Sequence, residues 1–193
     1  MNITADQLPL HICEKIDETP TSYLLQEGKW KRRKILAIGE SPALNGWILS
    51  GRAFYTDAWK LVPSGKRCNE LFADLGFGIE DISFTELCKC ILGPQRNLLA
   101  VCAPKCWNHL ILQIQEIEPD LVIILGKHTL EILNTTIWQD IPMGTLSKQT
   151  VANHASWFLT LYHPSPINPK SKIWNETIMQ THHKELQKII DSL

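Results

Sequence analysis

The chain has 193 residues, 44% of them hydrophobic and 20% charged, enough to bury a full core in one domain spanning 1–193. Its 19 basic and 20 acidic residues leave a formal net charge of −1, so no global positive field marks it as a nucleic-acid binder. No apolar run reaches membrane-spanning length, and the start, MNITADQLPLHICEK, lacks the charged and apolar stretches of a secretory signal. A cytoplasmic protein with no membrane partner is expected.

Taken in order, residues 1–33 read as a helical lead-in and a polar, basic connector carrying Lys29, Lys31, Arg32, Arg33 and Lys34. That cluster suits a solvated surface as well as phosphate contact. The first strand is predicted at 35–38, followed by a long loop rich in glycine and aromatics, ESPALNGWILSGRAFYTDAWK, of the kind that carries function. The spacing predicts a helix over 68–75 closed by Gly76, a second strand over 81–87 and a turn at 93–97. A helix over 101–118 presents Leu110, Ile111, Ile114 and Ile117 on one face until Pro119 stops it. LVIIL at 121–125 is a fully buried strand, a helix follows over 127–133, the fourth strand is 158–162, and a helix over 174–193 closes the chain. Strand–helix alternation with continuously apolar strands gives an α/β fold, a mainly parallel four-stranded sheet covered by helices on both faces as a three-layer sandwich.

Two stretches share one form. The run KILAIG breaks into Glu40-Ser41-Pro42, and WFLTLY breaks into His163-Pro164-Ser165-Pro166. Proline stops both ladder and helix, so each stretch is a buried strand ending in a stiff loop. Open α/β sheets place their ligand crevices at such strand ends. A lone histidine after a strand is ordinarily structural; a carboxylate delivered by a second strand makes a shared crevice the sharper reading. Lys170 and Lys172 follow the His163 loop and suit phosphate contact there.

The six cysteines are Cys13, Cys68, Cys88, Cys90, Cys102 and Cys106. In a cytosolic chain they read as thiols or metal ligands, and four of them crowd into 88–106.

Together these motifs resemble the uracil-DNA glycosylase superfamily over nearly the whole chain. GESP at 39–42, GRAF at 51–54 and PDLVIILG at 119–126 are similar to segments of the thermophile-type (family 4) enzymes. HPSP at 163–166 resembles the second catalytic motif, and its continuation is similar to the HPSP-x-NP loop of the single-strand-selective branch. The resemblance implies hydrolysis of a base–sugar bond in single- or double-stranded DNA after the nucleotide is flipped out. It assigns Glu40 to the attacking water or the cationic sugar, and His163 to the base oxygen on which charge grows. Phe54 would stack on the flipped base, Ile167 would fill the vacated stack, and Gly39, Ser41, Pro42 and Ser165 would line the backbone and phosphate contacts. A monofunctional enzyme acting as a monomer is expected, because no lysine reads as an amine nucleophile.

Two departures stand out. Where the resembled motif has an asparagine reading the base, the run Thr85-Glu86-Leu87-Cys88-Lys89-Cys90 has Glu86. An ionised carboxylate only accepts hydrogen bonds, so uracil should bind poorly unless Glu86 is protonated or turned away, and a donor-rich base edge would suit it better. Pairing of Glu86 with a nearby Lys or Arg is the alternative. The bulky gate against thymine falls near Gly46, leaving a roomier pocket. The family-4 pattern also implies a [4Fe–4S] cluster; Cys90 and Cys106 match the later ligand pair and Cys13 one of the earlier pair. Cys102 or Cys88 is left to supply the fourth thiolate, with free thiols or a zinc site as alternatives. Two rival functions remain: a catalytically weak nucleic-acid-binding member of the same fold, which near-neutral charge and Glu86 favour, and a hydrolase of small nucleosides or nucleotides.

Overall fold

Four apolar runs form the centre of the sheet in a computed structural model that describes residues 16–29, 34–43, 46–47, 49–93, 95–137 and 140–193. The strands β2 (Ile35–Gly39), β3 (Ser83–Glu86) and β4 (Leu121–Leu125) are buried at every residue, as strands covered on both faces must be. With β6 (His154–Leu161) they make a parallel set, β3-β2-β4-β6. The sheet is larger than the four strands predicted. Two antiparallel edges extend it to six, in the order β1-β3-β2-β4-β6-β5.

Both missed edges carry weak signals. β1 (Leu25–Gln26) is two residues long and pairs with β3. β5 (Leu146–Val151), LSKQTV, is only partly buried and mostly polar. It is specified instead by its turn: Ala152 and Asn153 both take positive φ, and Val151 pairs with His154. That is a two-residue hairpin whose backbone twist matches its strands.

Alternate residues of the strands feed two cores. Leu36, Ile38, Val122, Ile124 and Phe158 pack with α2 (Leu99–Ile117) and α3 (Lys127–Ile137). Ile35, Ala37, Ile123 and Leu161 pack with α1 (Pro63–Ala73) and α4 (Lys170–Asp191) on the other face. Truncating one of these fully buried aliphatics to alanine would cost about 2–5 kcal/mol.

Helix starts differ from expectation. α1 begins at Pro63, whose missing N–H falls where a helix start leaves donors unpaired. α2 starts at Leu99 and keeps Pro104 inside it, and α4 starts at Lys170, directly after Pro169. α3 runs on to Ile137. Of the expected helical lead-in, 1–15 and 30–33 lie outside the described residues; its described part holds a short 3-10 turn at Ile16–Glu18 and the strand β1.

The chain leaves β2 toward β3 through α1, then returns past β2 to β4 through α2. Connections therefore part between β2 and β4, and a crevice opens beyond their carboxyl ends. Among the described residues no helix is long and apolar enough to cross a membrane.

Candidate active site

A cavity of about 790 Å³ opens at that point, lined by Gly39 at the end of β2 and Glu40 just after it, by Glu86 of β3, by Leu125 at the end of β4 and Gly126 just after it, and from beyond β6 by Tyr162 and His163. Glu40 and His163, predicted on separate loops, thus share one wall system. Glu40 is mostly buried, with its side chain 19% exposed. The ladder continues past it: Leu87 N–H donates to Gly39 O and Cys88 N–H to Glu40 O. Gly126 N–H donates to Leu161 O, fastening the ends of β4 and β6 together. At Gly126 φ is +112°, and an added Cβ would lie 3.6 Å from His163 Cβ, so a glycine suits the left-handed backbone that the loop needs there.

The His163 loop is held from below. The buried Asn175 side chain brackets Tyr162, accepting from its N–H and donating to its carbonyl, each at 2.8 Å. Arg67 donates to Ser165 O at 2.9 Å, and Ser165 O also accepts from Asn168 N–H. Ser165 and Ile167 line the cavity, and Ile167 is 91% exposed at the loop tip. An isoleucine that bare is a large apolar side chain with no protein to cover it. Lys170 and Lys172 are exposed beside it, Lys172 within reach of Glu176. Of the first basic cluster, Lys29 pairs with Glu80 and Lys34 with Asp120, while Lys31, Arg32 and Arg33 lie outside the described residues.

Glu86 is buried and lines the cavity. Among the described residues no Lys or Arg pairs with its carboxylate; the Trp47 indole N–H donates to its Oε1 at 2.8 Å. Oε2 has no partner. A Cβ on Gly39 would come within 2.3 Å of that oxygen, which gives the glycine of the GESP motif a steric reason. Burial outweighs the Trp47 bond and pushes the carboxyl up to about 8, so at neutral pH it holds its proton.

The neighbouring Lys89 is fully buried, and its ammonium is held by one carbonyl and two side-chain oxygens rather than by the Glu86 carboxylate. It donates to Glu86 O at 2.7 Å and to Thr85 Oγ1 and Gln113 Oε1 at 2.6 Å. Burial pushes Lys89 down to about 7. Gln113 in turn donates to Thr21 O and Tyr23 O, so one network fixes the end of β3 that carries Glu86.

Phe54 reaches the cavity wall with φ +66° and packs edge-on against Phe84 at 4.9 Å. A Cβ on Gly65 would sit 2.8 Å from Phe54 Cβ, so α1 approaches that ring closely only because Gly65 has no side chain. Ser41 and Pro42 line the same cavity. Gly46 does too, and a Cβ there would meet only ordinary contacts. Trp47, Lys127 and His128 are among the wall residues that were not anticipated. Lys127 lines the cavity with its ammonium paired to Glu131 at 3.5 Å. A lysine and histidine opening a helix directly after the third predicted strand were the available signal, since that helix starts at the crevice.

The cysteines converge only in part. Cys88, Cys90 and Cys106 place their sulfurs within 4.8 Å of one another, all buried. Cys102 lies one turn earlier in α2 and outside that triplet, and Cys13 lies outside the described residues. Thiol hydrogen bonds from Cys88 and Cys90, reinforced by Lys89 N–H, hold the Cys106 thiol well below its ordinary range, while Cys88 is raised as their donor. Three buried sulfurs this close together are a donor set that fits a thiophilic metal centre, and they supply three of the four sulfurs that an iron–sulfur cluster takes. Cys68 is buried in the other core, where burial alone raises its thiol to about 12.

The chain is 26% identical over 164 residues to the type-4 uracil-DNA glycosylase of Archaeoglobus fulgidus, covering 80% of this chain and 77% of that protein. It is 26% identical over 170 residues to the type-4 uracil-DNA glycosylase of Saccharolobus solfataricus, covering 84% of this chain and 72% of that protein. A family model described as the uracil DNA glycosylase superfamily matches residues 26–186, a span that takes in every wall of the cavity from Gly39 to Asn168. The chain belongs to the uracil-DNA glycosylase superfamily.

Proposed function

We propose that the chain is a DNA N-glycosylase that hydrolyses the bond between the sugar and a flipped-out deaminated or otherwise modified base, as a single monomeric domain and without a lyase step. The observation that carries this reading is the single cavity shared by Glu40, His163 and Glu86 at the strand ends. Extruding a nucleotide costs roughly a few kcal/mol, and a stacked aromatic returns about 1–3 kcal/mol per base. Phe54, one of four aromatics at the wall with Trp47, Phe84 and Tyr162, is the one assigned to stack on the base, and Ile167 is the exposed apolar side chain assigned to fill the vacated stack.

As the glycosidic bond breaks, its electron pair leaves with the base. His163 donates a hydrogen bond to the base oxygen that becomes negative, an interaction that strengthens toward the transition state. Glu40 favours the positive sugar and accepts a proton from the water whose oxygen bonds to the sugar carbon. Gly39, Ser41, Pro42 and Ser165 line the backbone on either side, where peptide N–H groups serve phosphates without basic side chains. In its neutral form Glu86 offers an O–H donor at Oε2 and a carbonyl acceptor, the pattern of an amide. It reads a base edge in which a carbonyl adjoins an N–H, as deaminated bases present. Cys88, Cys90 and Cys106, with Cys13 as fourth ligand, would hold an iron–sulfur cluster whose contribution is structural.

The test is incubation with oligonucleotides carrying uracil, hypoxanthine, xanthine or a modified cytosine, scored as alkali-labile cuts. Cleavage of at least one is expected. Absence of cuts in all of them refutes the reading, and activity confined to free nucleosides would select a small-molecule hydrolase.

A further inference from the structure

A small hairpin stands on the cavity wall beside Phe54 and takes no part in the chemistry above. Tyr55 and Leu61 pair in an isolated antiparallel bridge, Val62 N–H donates to Phe54 O at 2.8 Å, and Thr56 N–H donates to Lys60 O at 2.9 Å. Both feet of the hairpin belong to the wall: Ala53 and Phe54 on the entering side and Val62, Pro63 and Ser64 on the leaving side all line the cavity. Its tip carries Trp59, which takes φ +56° and is 62% exposed. A bulky side chain in the left-handed region is a conformational outlier, and such outliers persist where the surroundings fix them. Here Trp59 N–H donates to Thr56 O at 3.0 Å, so the turn itself holds the backbone that presents the indole.

Arg52 backs the ring. Its guanidinium carbon lies over two aromatic rings, 4.8 Å from the Tyr55 centroid and 5.5 Å from that of Trp59. Tyr55 is buried and its hydroxyl donates to Glu80 Oε1 at 3.1 Å, which anchors the inner ring to the body of the protein. The Arg52 backbone is tied as well, with its N–H donating to Ser50 Oγ and its carbonyl accepting from the same hydroxyl. That carbonyl lies 3.7 Å from where a Cβ on the cavity-lining Gly46 would sit. A single exposed tryptophan needs no partner on its own account. What marks this one is the stacked cation, the fixed left-handed backbone and the footing of its hairpin in the wall.

We propose that Trp59, backed by Arg52, is a stacking platform for an unpaired base of the DNA strand, a subsite for a nucleotide that flanks the flipped one. The inference rests on the glycosylase reading above, which places the flipped nucleotide in the cavity. Every base has a π-face, so stacking on an indole tolerates any sequence, and an arginine beside the ring adds a cation–π contribution. About three residues separate the feet from the tip, roughly 10 Å at about 3.3 Å each, or some three nucleotides at about 3.4 Å of rise. A base can offer its face to the indole only when it has left the stack and its complement, so the subsite favours single-stranded over paired DNA. Charge at the hairpin is compatible with a nucleic-acid strand. Arg52 and the exposed Lys60 are cationic, and Asp57, the acid of the hairpin, has one carboxylate oxygen accepting from Ala58 N–H at 2.9 Å.

The experiment uses the full chain and single-stranded oligonucleotides with an uncleavable tetrahydrofuran at the target position. A second tetrahydrofuran, which removes one more base, is placed at each neighbouring position in turn, and affinity is read by fluorescence anisotropy. Wild type should lose roughly 5- to 150-fold when the missing base falls at one flanking position. Trp59→Ala should lose a similar factor on the singly substituted strand, become indifferent to the base at that position, and keep the wild-type Tm. Trp59→Phe, which returns an aromatic face, should recover most of the affinity and the position dependence. On a fully paired flanking duplex Trp59→Ala should bind as wild type does. A Trp59→Ala protein that matches wild type on single strands, or shows the same position dependence, overturns the platform, and so does an equal loss on the paired duplex. Base release by that same protein from a damaged oligonucleotide leaves the glycosylase reading standing. A position effect that depends on Trp59, in a wild type that releases no base, refutes catalysis and keeps the platform.

Discussion

Replacing Glu86 with glutamine tests the unusual carboxyl while changing almost nothing else. Glutamine has the same length, so its carbonyl can accept the Trp47 N–H now given to Oε1 at 2.8 Å, and its amide takes the place of the unpartnered Oε2 as a fixed donor. Asparagine, the residue of the resembled motif, is one methylene shorter. It would leave the indole N–H unmatched at a cost of about 1–3 kcal/mol. Because burial pushes Glu86 up to about 8, the wild type is roughly nine-tenths protonated at pH 7 and only about one-tenth at pH 9. On a uracil-type edge the two proteins should therefore release base within about twofold of each other at pH 7, and the glutamine variant should lead by about tenfold at pH 9. Single-turnover rates on one uracil oligonucleotide give the ratio, in which ionisation of the base and of His163 cancels. Stability supplies a second reading of the same group. Between the ordinary carboxylate range near 4.5 and about 8, the native protein holds a proton that the unfolded chain has released, so wild-type stability falls as pH rises. Relative to Glu86→Gln the loss approaches about 1.4 kcal/mol per pH unit in that window and levels off above it. A rate ratio and a stability difference both flat from pH 5 to 9 would refute the argument for a neutral carboxyl.

Other substitutions separate the remaining roles. Phe54→Ala should weaken binding to an uncleavable flipped-base duplex by about 1–3 kcal/mol, measured by titration, whereas a ring serving only the core would lower Tm and leave affinity per folded molecule unchanged. Ile167→Ser should leave Tm unaltered, because the side chain is 91% exposed, and should weaken abasic-duplex binding about tenfold or more through lost apolar burial. Freshly purified wild type should show the broad visible absorbance of an iron–sulfur centre, and Cys90→Ser with Cys106→Ser should lose it together with several degrees of Tm. Colourless wild type with titratable thiols would refute a cluster at that triplet.

The legible parts of the chain are those whose signals lie within one segment. β4 appears within its predicted bounds because LVIIL is uniformly apolar and flanked by Pro119 and Gly126. Glu40 and His163 were visible because proline punctuates each strand end, and the shared cavity comes from parallel strands whose carboxyl ends point one way. β5 was not legible, since an edge strand with four consecutive polar residues in six positions competes poorly with loop readings, and its Ala152-Asn153 turn lacks the usual glycine. Trp47 and His128 escaped for another reason. Each becomes meaningful only through a contact at least 39 residues away in the chain, with Glu86 and Glu40 respectively. Spacing along one segment does not encode such contacts. Lys89 illustrates the same limit: between two cysteines it reads as a surface charge, and only the fold reveals that Thr85, Gln113 and the Glu86 carbonyl satisfy its ammonium.

The most direct measurement is single-turnover base release from damaged oligonucleotide by wild type, Glu40→Gln and His163→Ala at equal folded concentration. Two groups facing one extrahelical nucleotide should each matter to the chemical step: release by wild type, with losses of about 10²–10³-fold on removing the His163 donor and a comparable loss at Glu40, is the expected result. Full activity in either variant, with binding and Tm unchanged, would contradict the account.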